Sequence, residues 1–351
     1  MNATMTAPHI KLTLKNIDSF CLPMVSVIMP IRNESDFIER SLGAVLAQDY
    51  PADNLEVLLA DGMSTDATRT MIAKLAAKYP AIRVVIVDNP GKIVPTAMNA
   101  ALAVAHGEII VRVDGHTIIK NDYVSACVDA LTRSGADNVG GRMTPSSQNE
   151  FGQAVALATS SPFGIGGARF HFSEREEWVD TVYMGAWRRD VFERIGDFDE
   201  EMVRNQDDEF NYRLLSAGGK ILLSNKVESE YFNRSSPRAL WRQYFQYGYW
   251  KVRVLQKHPR QMRSRQFVPP AFVAVVMLGA LLAPFNKTLR RLWYPVWSLY
   301  MAANVAASVY TAYKKGWQHL PRLPFVFATL HVSYGLGFLT GLVKFADRWW
   351  K

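Results

Sequence analysis

The sequence contains very little cysteine, and this limits the kinds of site that it can form. Only Cys21 and Cys127 occur in 351 residues, and they give neither a disulfide framework nor the spacing of a metal knuckle. Lys11, Lys15 and Asp18 interrupt the start of the chain, which therefore lacks the apolar core of a cleavable signal peptide. We expect two inert thiols and a catalytic domain that stays in the reducing cytosol.

Acidic residues are missing from a long stretch between Glu230 and Asp347, although Lys and Arg continue throughout it. The net charge of +8 therefore combines an acidic front with a basic back. A basic segment beside apolar runs is typical of contact with an anionic membrane surface, and the apolar runs argue against a nucleic-acid partner.

Three uncharged runs lie near the C-terminus, at Phe267–Phe285, Leu292–Tyr313 and Leu323–Val343. Because crossing a bilayer takes about 20 residues, the second and third are good candidates for spanning helices. The first contains three prolines and is a candidate for a re-entrant or interfacial segment. Basic residues flank every run, so they do not fix the orientation. Buried helices of a soluble protein are the alternative.

The first 120 residues alternate strand and helix patterns, with strands predicted at Val25–Pro30, Glu56–Gly62, Ile82–Asp88 and Glu108–Val113. This alternation predicts an α/β fold with a parallel, doubly wound sheet. Ligands bind at the carboxyl edge of such a sheet. The polar residues that follow the first three strands are Arg32, Asn33 and Glu34, then Asp61, Ser64 and Asp66, then Asp88 and Lys92.

The fourth predicted strand runs directly into Asp114, Gly115 and His116. A carboxylate and an imidazole can both hold a divalent cation, and we expect the glycine between them to let a ligand approach the backbone. A cation there would neutralise a diphosphate, so the pattern favours a metal-bound sugar nucleotide. A plain Asp-Gly turn is the alternative.

Four segments, in order, resemble the nucleotide-binding half of the family 2 glycosyltransferases, which have the Rossmann-like GT-A fold. The segments are VSVIMPIRNE, LLADGMSTDAT, NPGKIVPTAMNAAL and IIVRVDGHT. The resemblance covers roughly residues 24–258 and is greatest to exopolysaccharide glucosyltransferases of the succinoglycan type. It implies that Pro30, Arg32 and Glu34 contact the nucleotide, that Asp61 hydrogen-bonds the base, and that Lys92 lies near the diphosphate.

The resemblance also places Asp114 and His116 at the DXD position, which holds the metal and diphosphate. His116 replaces the second Asp of that motif, and imidazole suits Mn²⁺ better than Mg²⁺. The resemblance therefore implies a divalent metal, Mn²⁺ or Mg²⁺. The alternative is that His116 donates directly to a phosphate oxygen.

A further match lies at Tyr183–Met202 and Asn205–Leu223. When Arg213 is aligned with the arginine of the family's motif, Asp207 aligns with the catalytic aspartate. Gln206 then replaces the usual first acid of that motif. An inverting transfer needs a base near the acceptor hydroxyl and an electrophilic clamp on the leaving diphosphate. We predict Asp207 as the base.

Asp208 is the rival for that base, although it points about 100° away around a helix. Both acids are also favourable in the first turn of a helix without any catalytic role.

The stretch Ser235–Lys257 is aromatic and basic, with the composition of a helix lying at the headgroup level. Within it, Gln246 and Trp250 resemble the ends of the family's Q-x-x-R-W element, which lies beside the acceptor and diphosphate. Tyr249 stands where the arginine usually is, which disfavours processive synthesis. A simple amphipathic surface helix is the alternative.

We predict four parts: a leader (1–23), a catalytic domain (24–233, divided at 120), a basic interfacial segment (234–266) and a membrane region (267–351). The predicted function is transfer of a single hexose, glucose, from a UDP-sugar to a lipid-linked acceptor for exopolysaccharide or surface glycan. The predicted location is the inner membrane, with the catalytic domain cytoplasmic. A processive synthase and a non-catalytic, sugar-nucleotide-binding subunit of an export complex are the alternatives.

Overall fold

The computed structural model describes residues 22–147, 149–166, 169–171 and 173–349. Cys21 and nearly all of the predicted leader lie outside these residues, whereas Cys127 is fully buried. In the described chain, an α/β domain with a nine-stranded sheet is followed by four long helices.

The front of the sheet is parallel, as the alternating pattern predicts. Its elements are β1 (Val25–Ile31), α1 (Ile38–Leu46), β2 (Leu55–Asp61), α2 (Thr68–Ala76), β3 (Arg83–Asp88), α3 (Val94–Leu102) and β4 (Ile109–Arg112). The strands lie in the order β3, β2, β1, β4 and all pair in parallel. Val27 and Ile28 are fully buried in separate cores on the two faces, so the sheet is covered on both sides and its carboxyl ends share one edge.

The sheet becomes mixed beyond β4. The elements that follow are β5 (Thr117–Ile119), α4 (Tyr123–Ser134), β6 (Asn138–Ser146), α5 (Glu150–Thr159), α6 (Pro162–Ile165), β7 (Glu177–Val179), β8 (Tyr183–Arg188), α7 (Asp190–Ile195), α8 (Gln206–Ser216) and β9 (Ile221–Phe232). β8 runs antiparallel between β4 and β6, and β6 pairs in parallel with β9. The start of β8 therefore lies beside the end of β4, where Asp114 follows.

The C-terminal helices are α9 (Pro237–Lys257), α10 (Ser264–Leu282), α11 (Lys287–Lys315) and α12 (Leu323–Lys344). Of the described helices, α10 and α12 are long and apolar enough to cross a membrane. The sequence interpretation preferred the second and third apolar runs, and α11 does not meet this criterion because Trp, Tyr, Asn and Ser occupy much of it. The prolines of the first run do not interrupt α10.

The helix α9, which the sequence predicts as an interfacial helix, packs along α12. A Cβ at Gly248 would clash with the carbonyl oxygen of Tyr334, and a Cβ at Gly337 would clash with that of Phe245. The backbones of the two helices are therefore in direct contact, which only glycine permits.

Candidate active site

One large cavity, about 1510 Å³ in volume, runs from the carboxyl edge of the parallel strands to the C-terminal helices. Its lining includes most of the residues that the sequence predicted for the site. These are Pro30, Arg32, Glu34, Lys92, Asp114, His116, Gln206, Asp207 and Gln246. The rival base Asp208 also lines it, whereas Asp61 and Trp250 do not.

Arg112, near the end of β4, joins the two central carboxylates. Its Nε donates a hydrogen bond to Asp114 Oδ1 at 2.8 Å, and its Nη1 donates to Asp207 Oδ1. The guanidinium is almost completely buried, so this bridge ties the start of α8 to the end of β4. Sequence reasoning did not identify Arg112, although a charged residue inside the apolar run IIVRV was the available signal.

The two carboxylates joined by Arg112 have opposite pKa shifts. Burial raises the pKa of Asp114, but the charges of Arg112 and His116 outweigh it and hold the pKa below its ordinary value. Burial raises the pKa of Asp207 above its ordinary value, and Arg112 offsets this only in part. Asp207 is thus the stronger base of the pair, and Asp114 the more fully ionised group.

The carboxylates of Asp208 and Asp207 pair with different cations. The Asp208 carboxylate accepts a hydrogen bond at 2.9 Å from Lys251 of α9, whose side chain is almost fully buried. Adjacent residues therefore point to different partners, one toward β4 and the other toward the C-terminal helices.

The donor set around Asp114 fits a cation only in part. Asp114 Oδ2 has one long contact, with the Tyr183 hydroxyl at 3.5 Å, and the Nδ1 atom of His116 lies 3.3 Å from Glu34 Oε1. No cluster of three or more His, Cys, Asp or Glu side chains suited to a metal occurs in the described part of the chain. One carboxylate oxygen and an imidazole can hold a divalent ion when phosphate oxygens complete its coordination.

Position 115 requires glycine for a reason other than the close approach of a ligand that we expected. A Cβ there would lie 3.0 Å from side-chain carbons of Glu34 and Ile31. The space beside this glycine is therefore filled by the protein itself and not by an approaching ligand.

Two predicted contacts lie outside the cavity lining. The Asp61 carboxylate is fully buried and accepts hydrogen bonds from Ser64 and, at 2.5 Å, from Arg69 Nε. Trp250 packs on Phe345 and Tyr249. In this structure each side chain is engaged by the protein, so the predicted base contact of Asp61 would require Ser64 or Arg69 to move.

Backbone strain is concentrated around this cavity. The non-glycine residues with left-handed backbone in the described ranges are Asn33, Met63, Lys92, Met184 and Asn205, with φ between 53° and 62°. Each of them lines the cavity or adjoins a residue that does. Strain of this kind persists where the surrounding structure enforces it, typically at functional sites.

Comparison with known proteins identifies the family. The family model described as Glycosyl transferase family 2 matches residues 26–196. The succinoglycan biosynthesis protein ExoA of Rhizobium meliloti (strain 1021) is 31% identical over 326 residues, which is 92% of this chain and 96% of that protein. The chain belongs to glycosyl transferase family 2.

A second relative of this family 2 glycosyltransferase and a solved structure similar to it carry different named activities. A dolichyl N-acetyl-alpha-D-glucosaminyl phosphate 3-beta-D-2,3-diacetamido-2,3-dideoxy-beta-D-glucuronosyltransferase of Methanococcus voltae is 27% identical over 239 residues, 66% of this chain and 74% of that one. The solved mannosyltransferase PcManGT of Pyrobaculum calidifontis, in complex with GDP-Man and Mn²⁺, is 20% identical and has a TM-score of 0.58. The match covers 93% of this chain and 89% of that one. The likeness confirms the GT-A fold.

Proposed function

We propose that this glycosyltransferase inverts the anomeric centre while moving one hexose, glucose, from a UDP-sugar to a lipid-linked acceptor in exopolysaccharide or surface glycan synthesis. The observation that carries the proposal is the continuous cavity. It connects Lys92, Asp114 and Asp207 with apolar side chains of the C-terminal helices, including Phe272 and Leu330. A donor with charged phosphates and an acceptor with an apolar tail match its two ends.

In this proposal, Asp207 takes the proton from the acceptor hydroxyl. The hydroxyl oxygen then forms a bond to the anomeric carbon, and the bond from that carbon to the diphosphate oxygen breaks, leaving its electron pair on UDP. A carboxylate with a raised pKa is suited to this step because it accepts a proton more readily near neutral pH. Arg112 fixes Asp207 beside the donor end.

Asp114 and His116 would hold a divalent cation together with the donor diphosphate, and such an ion would stabilise the charge of the leaving group. A structure with the same fold, PcManGT, is solved with GDP-Man and Mn²⁺, which supports the use of a divalent metal. Pro30, Arg32, Glu34 and Lys92 would surround the nucleotide, as the sequence predicts.

The C-terminal helices would keep the enzyme where a lipid-borne acceptor is found. Large apolar side chains are exposed along α10, α11 and the turn between them, including Leu281, Phe285, Leu292 and Leu299. In contrast, the residues that α11 buries include Asn304 and Ser308. An arrangement with apolar residues outside and polar residues inside favours lipid around these helices. We infer insertion in the inner membrane, with the catalytic domain cytoplasmic.

The direct test incubates membranes containing the protein with radiolabelled UDP-glucose and measures label in the extracted lipid. We expect transfer by the unmodified protein and none by Asp114→Ala. Asp53→Ala is the matched control, because Asp53 is exposed and precedes β2 at the opposite edge of the sheet.

Each possible result has a definite meaning. Label in lipid that survives Asp114→Ala would remove Asp114 from the reaction. Label in a long polymer instead of a single added residue would indicate a processive synthase. Binding of UDP without any transfer would indicate a silent sugar-nucleotide-binding subunit.

A further inference from the structure

The cations around α9 fall into two groups. One group pairs with carboxylates: Lys251 with Asp208, Arg253 with Glu201, and Lys257 with Asp199 at 2.5 Å. These pairs attach α9 to the catalytic domain. The other group lines the cavity and has no ion-pair partner among the residues that the structure describes; its members are Arg204, Arg234, Arg242, Arg260 and Arg265.

Three of the second group lie near the part of α9 that contains Gln246 and Tyr247. Arg204 Nε donates a hydrogen bond to Gln246 Oε1 at 3.2 Å. Burial raises the pKa of the Tyr247 phenol to about 12, while the nearby charges of Arg204 and Arg234 oppose that rise. Arg242 precedes Gln246 by one helical turn and lines the same cavity. In the ranges described by the structure, no carboxylate lies within ion-pairing distance of these three arginines.

Tyr231 separates this arginine cluster from the donor end of the cavity. On one side, its ring lies 5.6 Å from that of His116 and 5.8 Å from that of Tyr183. On the other side, Gln243 Nε2 donates to the hydroxyls of Tyr231, at 3.3 Å, and Tyr247, at 3.0 Å. The cluster is therefore distinct from the donor diphosphate position proposed at Asp114 and His116.

The cavity becomes apolar beyond the arginine cluster. Val268 and Phe272 of α10, Tyr300 of α11 and Leu330 of α12 all line it. Arg204, Arg234 and Arg242 are exposed, so an anion that enters the cavity can reach their guanidinium groups. An amphiphile with an anionic head and an apolar tail satisfies both surfaces.

We propose that Arg204, Arg234 and Arg242 bind a phosphate or diphosphate that links the acceptor sugar to its lipid, and that the tail lies against α10 and α12. This assignment rests on the proposed function, since it names the chemistry of the acceptor for that reaction. Guanidinium groups suit phosphates because they donate paired hydrogen bonds and remain charged. Arg204 also precedes Asp207 by three residues, so the bound head would lie near the proposed base.

The experiment measures binding to the full-length protein in detergent, with UDP and Mn²⁺ at saturation so that the donor end is occupied. The probes are farnesyl diphosphate, inorganic diphosphate and farnesol. We expect farnesyl diphosphate to bind more tightly than either of the others. Arg234→Gln and Arg242→Gln should each weaken its binding by about tenfold, as for one lost charge-assisted contact.

Arg238→Gln is the matched control, because Arg238 lies on the same helix one turn before Arg242 but does not line the cavity. It should leave the affinity unchanged. Equal weakening by Arg238→Gln, or no weakening by Arg242→Gln, would overturn the proposal. Equal binding of inorganic and farnesyl diphosphate would overturn the lipid part and indicate a soluble anion.

These measurements need no turnover, so they separate this proposal from the proposed function. If hexose transfer to lipid occurs while farnesyl diphosphate binds equally well to the variants, the arginine assignment alone is wrong. If the variants weaken binding as expected but no transfer to lipid is found, the proposed reaction is wrong and the anion site remains.

Discussion

The two ends of the cavity are built in different ways. At the donor end, charged residues follow consecutive parallel strands, so Arg32, Lys92 and Asp114 are positioned by a rigid sheet and by a strained backbone nearby. At the acceptor end, where we propose that the lipid-linked sugar binds, the lining comes from α9, the segment before α8 and the helices α10 to α12. This end depends on helices packing against one another. The residues of the first end follow consecutive strands in the sequence, whereas those of the second end come from segments that are far apart in the sequence.

The two ends of the cavity also differ in how their charged residues are paired. At the donor end and centre, Arg112 lies between two acids, whereas near Tyr247 the arginines lack such partners among the described residues. The central arginine can thus tune the pKa of a carboxylate before substrate arrives, whereas the exposed arginines near Tyr247 remain accessible to the anionic head group that we propose.

The largest expected effect is on kcat and tests whether Asp207 is the catalytic base. Asp207→Asn should lower kcat by about 10³-fold, since a general base contributes roughly 10²–10⁴, with little change in KM for the UDP-sugar. Asp208→Asn is the matched comparison and should cost far less, because Asp208 pairs with Lys251 instead of Arg112. Steady-state kinetics of lipid labelling measures both. Near-normal turnover of Asp207→Asn with loss in Asp208→Asn would exchange their roles.

The sequence allowed the donor end to be predicted well. The bounds of the four predicted strands agree with β1 to β4 to within about one residue, although the short strand β5 was not predicted. The order of strand ends was enough to gather Glu34, Lys92, Asp114 and His116 around one cavity. Strands that alternate with helices specify a parallel sheet, and a parallel sheet specifies the edge at which ligands bind.

The acceptor end could not be predicted in the same way. Nothing local in the sequence indicates that Trp250 faces Phe345 instead of the cavity, or that Arg204 meets Gln246 across 42 residues. These contacts follow from the crossing of α9 and α12, which glycines allow but which no periodicity predicts. Arg112 was missed for a related reason, since its partner Asp207 lies 95 residues away.

The next effect concerns the metal at the donor end. Excess chelator should lower the rate of hexose transfer on the order of 10²-fold, because the leaving diphosphate loses its electrophilic clamp. Mn²⁺ should restore the rate better than Mg²⁺, since the proposed site contains an imidazole. Rates measured at graded free metal test this. Full turnover in chelator would leave His116 and Lys92 to act directly on the diphosphate.

A smaller effect concerns the pH dependence that Arg112 gives to Asp207. The base must be ionised, so activity is present above its pKa and is lost as the pH falls through that value. Arg112 lowers a pKa that burial has raised, so Arg112→Met should move the acid limb of the kcat profile to higher pH. We expect a several-fold loss on the acid side, and Arg112→Lys should retain more of the activity than Arg112→Met does. An unmoved limb would show that Arg112 does not control the base.

The smallest predicted effect is a change in unfolding stability. It compares a glycine-to-alanine substitution in α9 with one in α1. Gly248→Ala should destabilise the protein by about 1–3 kcal/mol, because the new Cβ meets the Tyr334 carbonyl and forces α9 away from α12. Gly43→Ala in α1 meets no atom within 4 Å, so it should stabilise by about 0.5–1 kcal/mol through its better helix propensity. Thermal unfolding in detergent measures both. If the two substitutions had the same sign, α9 and α12 would not be in backbone contact, and the acceptor end would not be built by their crossing.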